Sequence, residues 1–130
     1  MNSAFSFTKL IVHDVEKMAA FYGAVYGLHA VNRVRESIGS EGIDEIMLSP
    51  DPKAPFGSFV VLKYVGRPPS PTGELILGFT TDDLPALLDR VCKAGGAVHA
   101  PIKEMPELKL RVAFATDPEG HLAELVQVLA

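Results

Sequence analysis

The chain has 130 residues, 48% hydrophobic and 22% charged, which suits one core-bearing domain and excludes an intrinsically disordered chain. Its formal net charge of −4, with no basic cluster, argues against nucleic acid as a partner. A single cysteine, Cys92, excludes an internal disulfide and thiolate zinc clusters, and no apolar run reaches membrane-spanning length.

Met1-Asn2-Ser3-Ala4 lacks both a positive n-region and an apolar h-region, so no signal peptide is expected and the cytoplasm is the expected compartment. Phe5 to Val12 reads as a strand, apolar and β-branched around Thr8 and Lys9. Asp14 offers a helix N-cap, Glu16 sits where the helix dipole favours a carboxylate, and Met18, Phe21, Tyr22 and Val25 form one apolar stripe. Gly27 is a natural left-handed stop. Strands are expected over 28–34 and 43–48, separated by a polar, glycine-bearing loop over 36–42. Pro50, Pro52 and Pro55 make the next loop irregular, and 58–65 is a strong fourth strand.

Residues 66–73, Gly-Arg-Pro-Pro-Ser-Pro-Thr-Gly, are rich in Pro and Gly and read as a linker. The pattern then restarts. Residues 74–81 read as a strand, Asp83 as a second N-cap with Pro85 in the first turn, and Leu84, Leu87, Leu88 and Val91 as a second stripe stopped at Gly95-Gly96. Cys92 lies on this helix and is expected to be buried and inert. A short strand over 97–100 precedes a loop over 101–108, which reads equally as a lid or as a plain surface connection. Residues 110–116 and 122–129 form a hairpin around Asp117-Pro118-Glu119-Gly120, where Pro presets φ and Gly accepts the positive φ that closes the turn.

The order strand, helix, strand, strand, strand thus occurs twice. Asp14 and Asp83 stand 69 residues apart, as do Gly27 and Gly96. The expected fold class is α+β, with two paired βαβββ modules forming a concave cleft and helices outside. The expected organisation is one domain over 1–130, with module one at 1–65, a linker at 66–73 and module two at 74–130.

Val12-His13-Asp14-Val15-Glu16-Lys17-Met18-Ala19-Ala20-Phe21-Tyr22 with Tyr26-Gly27-Leu28, the segment Phe79 to Leu84, and Asp117 to Leu125 resemble the opening, second-module and closing signatures of the vicinal oxygen chelate superfamily. That group includes glyoxalase I, extradiol dioxygenases, bleomycin- and fosfomycin-resistance proteins and methylmalonyl-CoA epimerase. The resemblance implies the paired modules and, commonly, a homodimer. It also implies metal ligands at four strand positions, which fall here on Phe7, near Val61, on Ile76 and on Glu124. Only Glu124 can ligate a metal, and one carboxylate does not hold a divalent ion against water. No metal and no cofactor are therefore expected.

Strand alternation extends these positions to a cleft lined by Phe5, Phe7, Lys9, Phe59, Val61, Lys63, Ile76, Arg111 and Glu124. Glu124 reads either as a structural partner of Lys9, Lys63 or Arg111, or as an anchor or acid/base with a function of its own. His13 and His121 are expected to be exposed, and His29 and His99 to be solvated near the starts of the two post-helix strands. Two readings follow. One is a metal-independent protein that sequesters a hydrophobic or cationic small molecule, as bleomycin-resistance members do. The other is a metal-independent lyase or isomerase acting on a carbonyl compound, with Glu124 as acid/base and Lys9, Lys63 or Arg111 stabilising the oxyanion. A third, a metal-dependent enzyme of the glyoxalase or dioxygenase kind, needs ligands that the motifs do not supply.

Overall fold

The computed structural model describes residues 2–130. Its elements run β1 (Thr8–Ile11), α1 (Val15–Tyr26), β2 (His29–Ile38), β3 (Glu41–Ser49), β4 (Phe59–Tyr64), β5 (Ile76–Thr81), α2 (Leu84–Lys93), β6 (Ala97–Met105), β7 (Leu110–Thr116) and β8 (Leu122–Val128), with a 3-10 turn at Pro106–Leu108. The architecture is the expected α+β one, βαβββ twice over. Each repeat closes its own four-stranded sheet, β1-β4-β3-β2 and β5-β8-β7-β6. The first strand of each repeat joins its sheet in parallel, and the other pairings are antiparallel. The chain divides into two compact units between Ser70 and Pro71, inside the expected linker, with Ala24–Tyr26 grouped with the second. No helix of the described residues is long and apolar enough to cross a membrane.

In the first unit, Asp14 caps α1 by accepting from the Lys17 amide at 3.0 Å, and Gly27 ends the helix at φ 71°. Met18, Phe21 and Tyr22 are buried. The Tyr22 ring meets Phe59 at 4.8 Å, which fixes the sheet face that α1 covers. Strand register puts Leu10, Ile46, Leu48 and Val61 on that same face, all buried. Each such side chain contributes roughly 1.5–3 kcal/mol by leaving water.

In the second unit, the Asp83 carboxylate accepts from the Ala86 amide at 3.1 Å, and Gln127 Oε1 accepts from the Leu84 amide at 2.9 Å. The start of α2 is thus tied to β8. Leu84, Leu87 and Val91 are buried, as are Ala113, Ala115, Ala123 and Leu125, which register places on one face of the sheet. Cys92 is exposed, because the stripe of α2 runs through Val91 and leaves its neighbour on the outer side.

Two expected loops are strand. Residues 36–38 extend β2 and 41–42 extend β3, leaving only Gly39 and Ser40 as the turn, with Ile38 paired to Glu41. Their polarity reflects solvent on the protruding hairpin and not irregular backbone. The 101–105 part of the expected 101–108 loop belongs to β6, at the edge of its sheet. Pro101 is tolerated there because an edge strand has amides that need no ladder partner, and the register shifts between Ala100 and Lys103 around it. In the other direction, β1 begins only at Thr8, so Phe5 and Phe7 precede it.

The Asp117 turn forms as expected. The Gly120 amide donates to the Asp117 carbonyl at 3.0 Å, and Gly120 has φ 92°. Asp117 is more than a turn residue, however. Its Oδ1 accepts from the Glu119 and His121 amides at 2.8 and 3.0 Å, and its Oδ2 lies 2.8 Å from His121 Nδ1. His121 is therefore mostly buried against Asp117 instead of exposed. His13, His29 and His99 are exposed.

Candidate ligand-binding site

The face of the first sheet opposite α1 carries the site. Parallel pairing sets Lys9 beside Val60, and antiparallel pairing sets Met47 beside the same Val60. Glu45 lies two residues before Met47, beside Leu62, and so on the same face. A cavity of about 270 Å³ opens there, lined by Phe7, Lys9, Glu45, Met47, Phe56, Gly57 and Val60. Phe7 and Phe56 line it while staying 46% and 57% exposed, as side chains at a mouth do. Gly57 is required by close approach: a Cβ there would collide with the Leu48 backbone. The chain reaches β4 along this wall only because residue 57 has no side chain.

The cavity holds one ion pair. Lys9 Nζ lies 2.8 Å from Glu45 Oε1, with the lysine side chain 35% exposed and the glutamate side chain 4% exposed. Glu45 Oε2 is buried and has no hydrogen-bond partner among the described residues. Lys9 Nζ also stands 5.8 Å from the Phe7 ring centroid, near the outer limit of a cation–π contact. Desolvating a carboxylate is costly unless its lone pairs are satisfied. The half-satisfied Glu45 is thus the most polar unmet demand of this wall.

A second cavity, of about 500 Å³, lies in the second unit against Ala100, Pro101, Ile102, Lys103, Met105, Val112, Phe114 and Glu124. Glu124 reaches it because β8 sets it between Gly78 and Phe114, on the face opposite α2. Among the described residues of its own unit it makes no hydrogen bond or ion pair, and Arg111 pairs with Glu104 instead.

The expected site residues separate as follows. Phe7 and Lys9 line the first cavity and Glu124 the second. Phe59 and Val61 are buried on the α1 face, because Lys9 pairs with Val60 and not with Val61. Lys63 shares their parity and is exposed beside Asp44. Phe5 is 90% exposed and lines neither cavity. Ile76 is exposed on β5, beside Leu122. Arg111 pairs with Glu104 at 2.7 Å and lies opposite Gln127, one residue out of phase with the face of Glu124. Of the first cavity, sequence reasoning missed Glu45, Met47, Phe56, Gly57 and Val60. The usable signal for Glu45 and Met47 was their spacing of two along β3.

The four strand positions of the metal-binding pattern do not fit an ion here. Phe7, Val61 and Ile76 have no donor atom, and among the described residues no group of three or more His, Cys, Asp or Glu side chains comes together.

A family model described as Glyoxalase/Bleomycin resistance protein/Dioxygenase superfamily matches residues 4–125. Among solved structures, a glyoxalase family protein from Bacillus cereus is 18% identical, covers 96% of this chain and 93% of its own, and superposes with a TM-score of 0.80. A glyoxalase I mutant from Zea mays is 20% identical at a TM-score of 0.77 over 94% of this chain, which spans only 45% of the maize one. The fosfomycin resistance protein FosX from Listeria monocytogenes is 16% identical, with 98% and 94% coverage and a TM-score of 0.67. At these identities the likeness is one of fold. No curated protein matches the chain.

Proposed function

This chain belongs to the glyoxalase/bleomycin resistance protein/dioxygenase superfamily, and from that premise we propose that it is a metal-independent binding protein that sequesters a small apolar molecule. One observation carries the reading: the cavity walled by Phe7, Met47, Phe56 and Val60, with a single Lys9–Glu45 pair as its polar element. Apolar walls with few placed polar groups are the usual composition of a ligand pocket. An apolar cavity of about 150 Å³ already accepts benzene, so about 270 Å³ is room for a substituted ring. The homodimer implied by the resemblance and a cytoplasmic location are part of the same proposal.

The test is thermal denaturation against a panel of small apolar compounds. A true ligand raises Tm in proportion to its excess over Kd, is recovered chemically unchanged, and acts equally well in EDTA. Turnover of the ligand, or loss of the shift in EDTA, would count against the proposal.

Glu124 favours a second reading, because it lines its own cavity and no described residue engages its carboxylate. There it would serve as the acid/base of a metal-independent lyase or isomerase. In that case Glu124→Gln abolishes turnover of a carbonyl substrate while leaving the fold intact. Equal turnover by the variant would remove this reading.

A further inference from the structure

We propose that the first cavity selects a neutral apolar compound carrying a hydrogen-bond donor and an acceptor on neighbouring atoms, a carboxamide being the simplest example. This rests on reading the cavity as a ligand site and names the class of ligand it takes. The donor of the ligand goes to Glu45 Oε2, and its acceptor goes to Lys9 Nζ.

An ionised carboxylate accepts at about four lone-pair positions and an ammonium has three N–H donors. Glu45 Oε1 is engaged by Lys9 at 2.8 Å, whereas Oε2 is buried with no partner. Lys9 is described in one hydrogen bond, to Glu45, and its side chain is 35% exposed, so donors remain for a ligand. Lys9 therefore offers unused donors at the cavity wall, and Glu45 an unused acceptor that its neighbours cover, so that a ligand's donor reaches Oε2 through a turn of the Glu45 carboxylate, in a cavity otherwise made of Phe7, Met47, Phe56, Gly57 and Val60.

Charge then decides among ligand types. Lys9 and Glu45 cancel one another at contact distance. A cation bound to Oε2 gains the carboxylate but is opposed by the ammonium close by. An anion at Lys9 meets the converse opposition. Either would also lose its hydration in an apolar pocket. A neutral N–H donor beside a carbonyl acceptor meets both needs and leaves no net charge buried. A hydrogen bond to a charged group gains more than one between neutral groups.

The experiment compares toluene, benzamide, benzoate and benzamidinium, four probes of one shape, on the intact protein. Binding is read from the methyl resonance of Met47 in protein labelled at its methionine methyls. The expected result is benzamide at least tenfold tighter than each of the other three. In Glu45→Gln, which keeps the shape but leaves Lys9 uncompensated, the preference passes from benzamide to benzoate. Four probes that bind with equal affinity would overturn the donor–acceptor selection while leaving the cavity as a binding site. Preference of the native protein for benzamidinium or benzoate would overturn it in favour of a charged ligand. A Met47 resonance unmoved by any probe would overturn both this inference and the reading on which it rests.

Discussion

Lys9 and Glu45 are the residues on which charge and burial conflict. A glutamate side chain 4% exposed is tolerable while Lys9 sits at 2.8 Å, and intolerable alone. Breaking a buried pair from one side costs more than removing both partners. Lys9→Met should therefore destabilise by roughly 1–3 kcal/mol, discounted for the partial exposure of Lys9. The double variant Lys9→Met with Glu45→Leu should recover most of that loss. Urea denaturation of the native protein and the two variants tests this, and a double variant no more stable than Lys9→Met would contradict it. The other ion pair of consequence lies on β2 and β3. The Arg33 guanidinium grips Asp44 through Nε and Nη2 at 3.0 and 2.8 Å, and these hydrogen bonds hold the Asp44 carboxyl below its ordinary range. A depressed folded-state pKa gives stability that is present above the unfolded value, about 3.9 for Asp, and lost as pH falls through the folded one. Asp44→Asn should lower stability at neutral pH and flatten its decline below about pH 4. A variant with an unchanged acid limb would show that the pair contributes nothing there.

At the scale of elements, what could be read from the sequence was what local chemistry encodes. Asp14, Gly27, Asp83 and the Asp117–Gly120 turn act within a few residues of themselves, and each sits where its spacing put it. Strand faces were less legible. In β4, Phe59-Val60-Val61-Leu62 are all buried, so no alternation marks which side chain belongs to which face. The phase comes from β1, about fifty residues earlier. β7 behaves alike, with Val112 and Ala113 both buried although they face opposite ways. Glu45 was invisible for the same reason, since its partner is 36 residues away and on another strand. Gly57 shows the reverse: a residue with no apparent signal that one contact makes indispensable. Gly57→Ala drives a Cβ into the Leu48 backbone. It should cost about 1–3 kcal/mol or more and deform the cavity wall. Comparison of its Tm with that of Gly66→Ala, where an added Cβ meets nothing within 4 Å, isolates the effect.

At the scale of the whole molecule, the duplicated βαβββ order is the most robust message of the chain. It is carried by two helices with matching aspartate N-caps, and the two sheets repeat one pairing scheme. The cavities of the two units differ in their polar groups. The first offers a paired lysine and glutamate in an apolar cavity, and the second a carboxylate without a described partner beside Phe114 and Met105. The family pattern placed a metal across strand positions that this chain fills with Phe7, Val61 and Ile76. On the proposed reading, binding falls to the first cavity.

Three of the four methionines make that assignment measurable, because they report from different places. Met47 lines the first cavity, Met105 the second, and Met18 sits on the buried side of α1. In a titration of methyl-labelled protein with benzamide, the account predicts a saturable shift of Met47 while Met18 and Met105 stay in place. A shift of Met105 alone, or of none of the three, would contradict it.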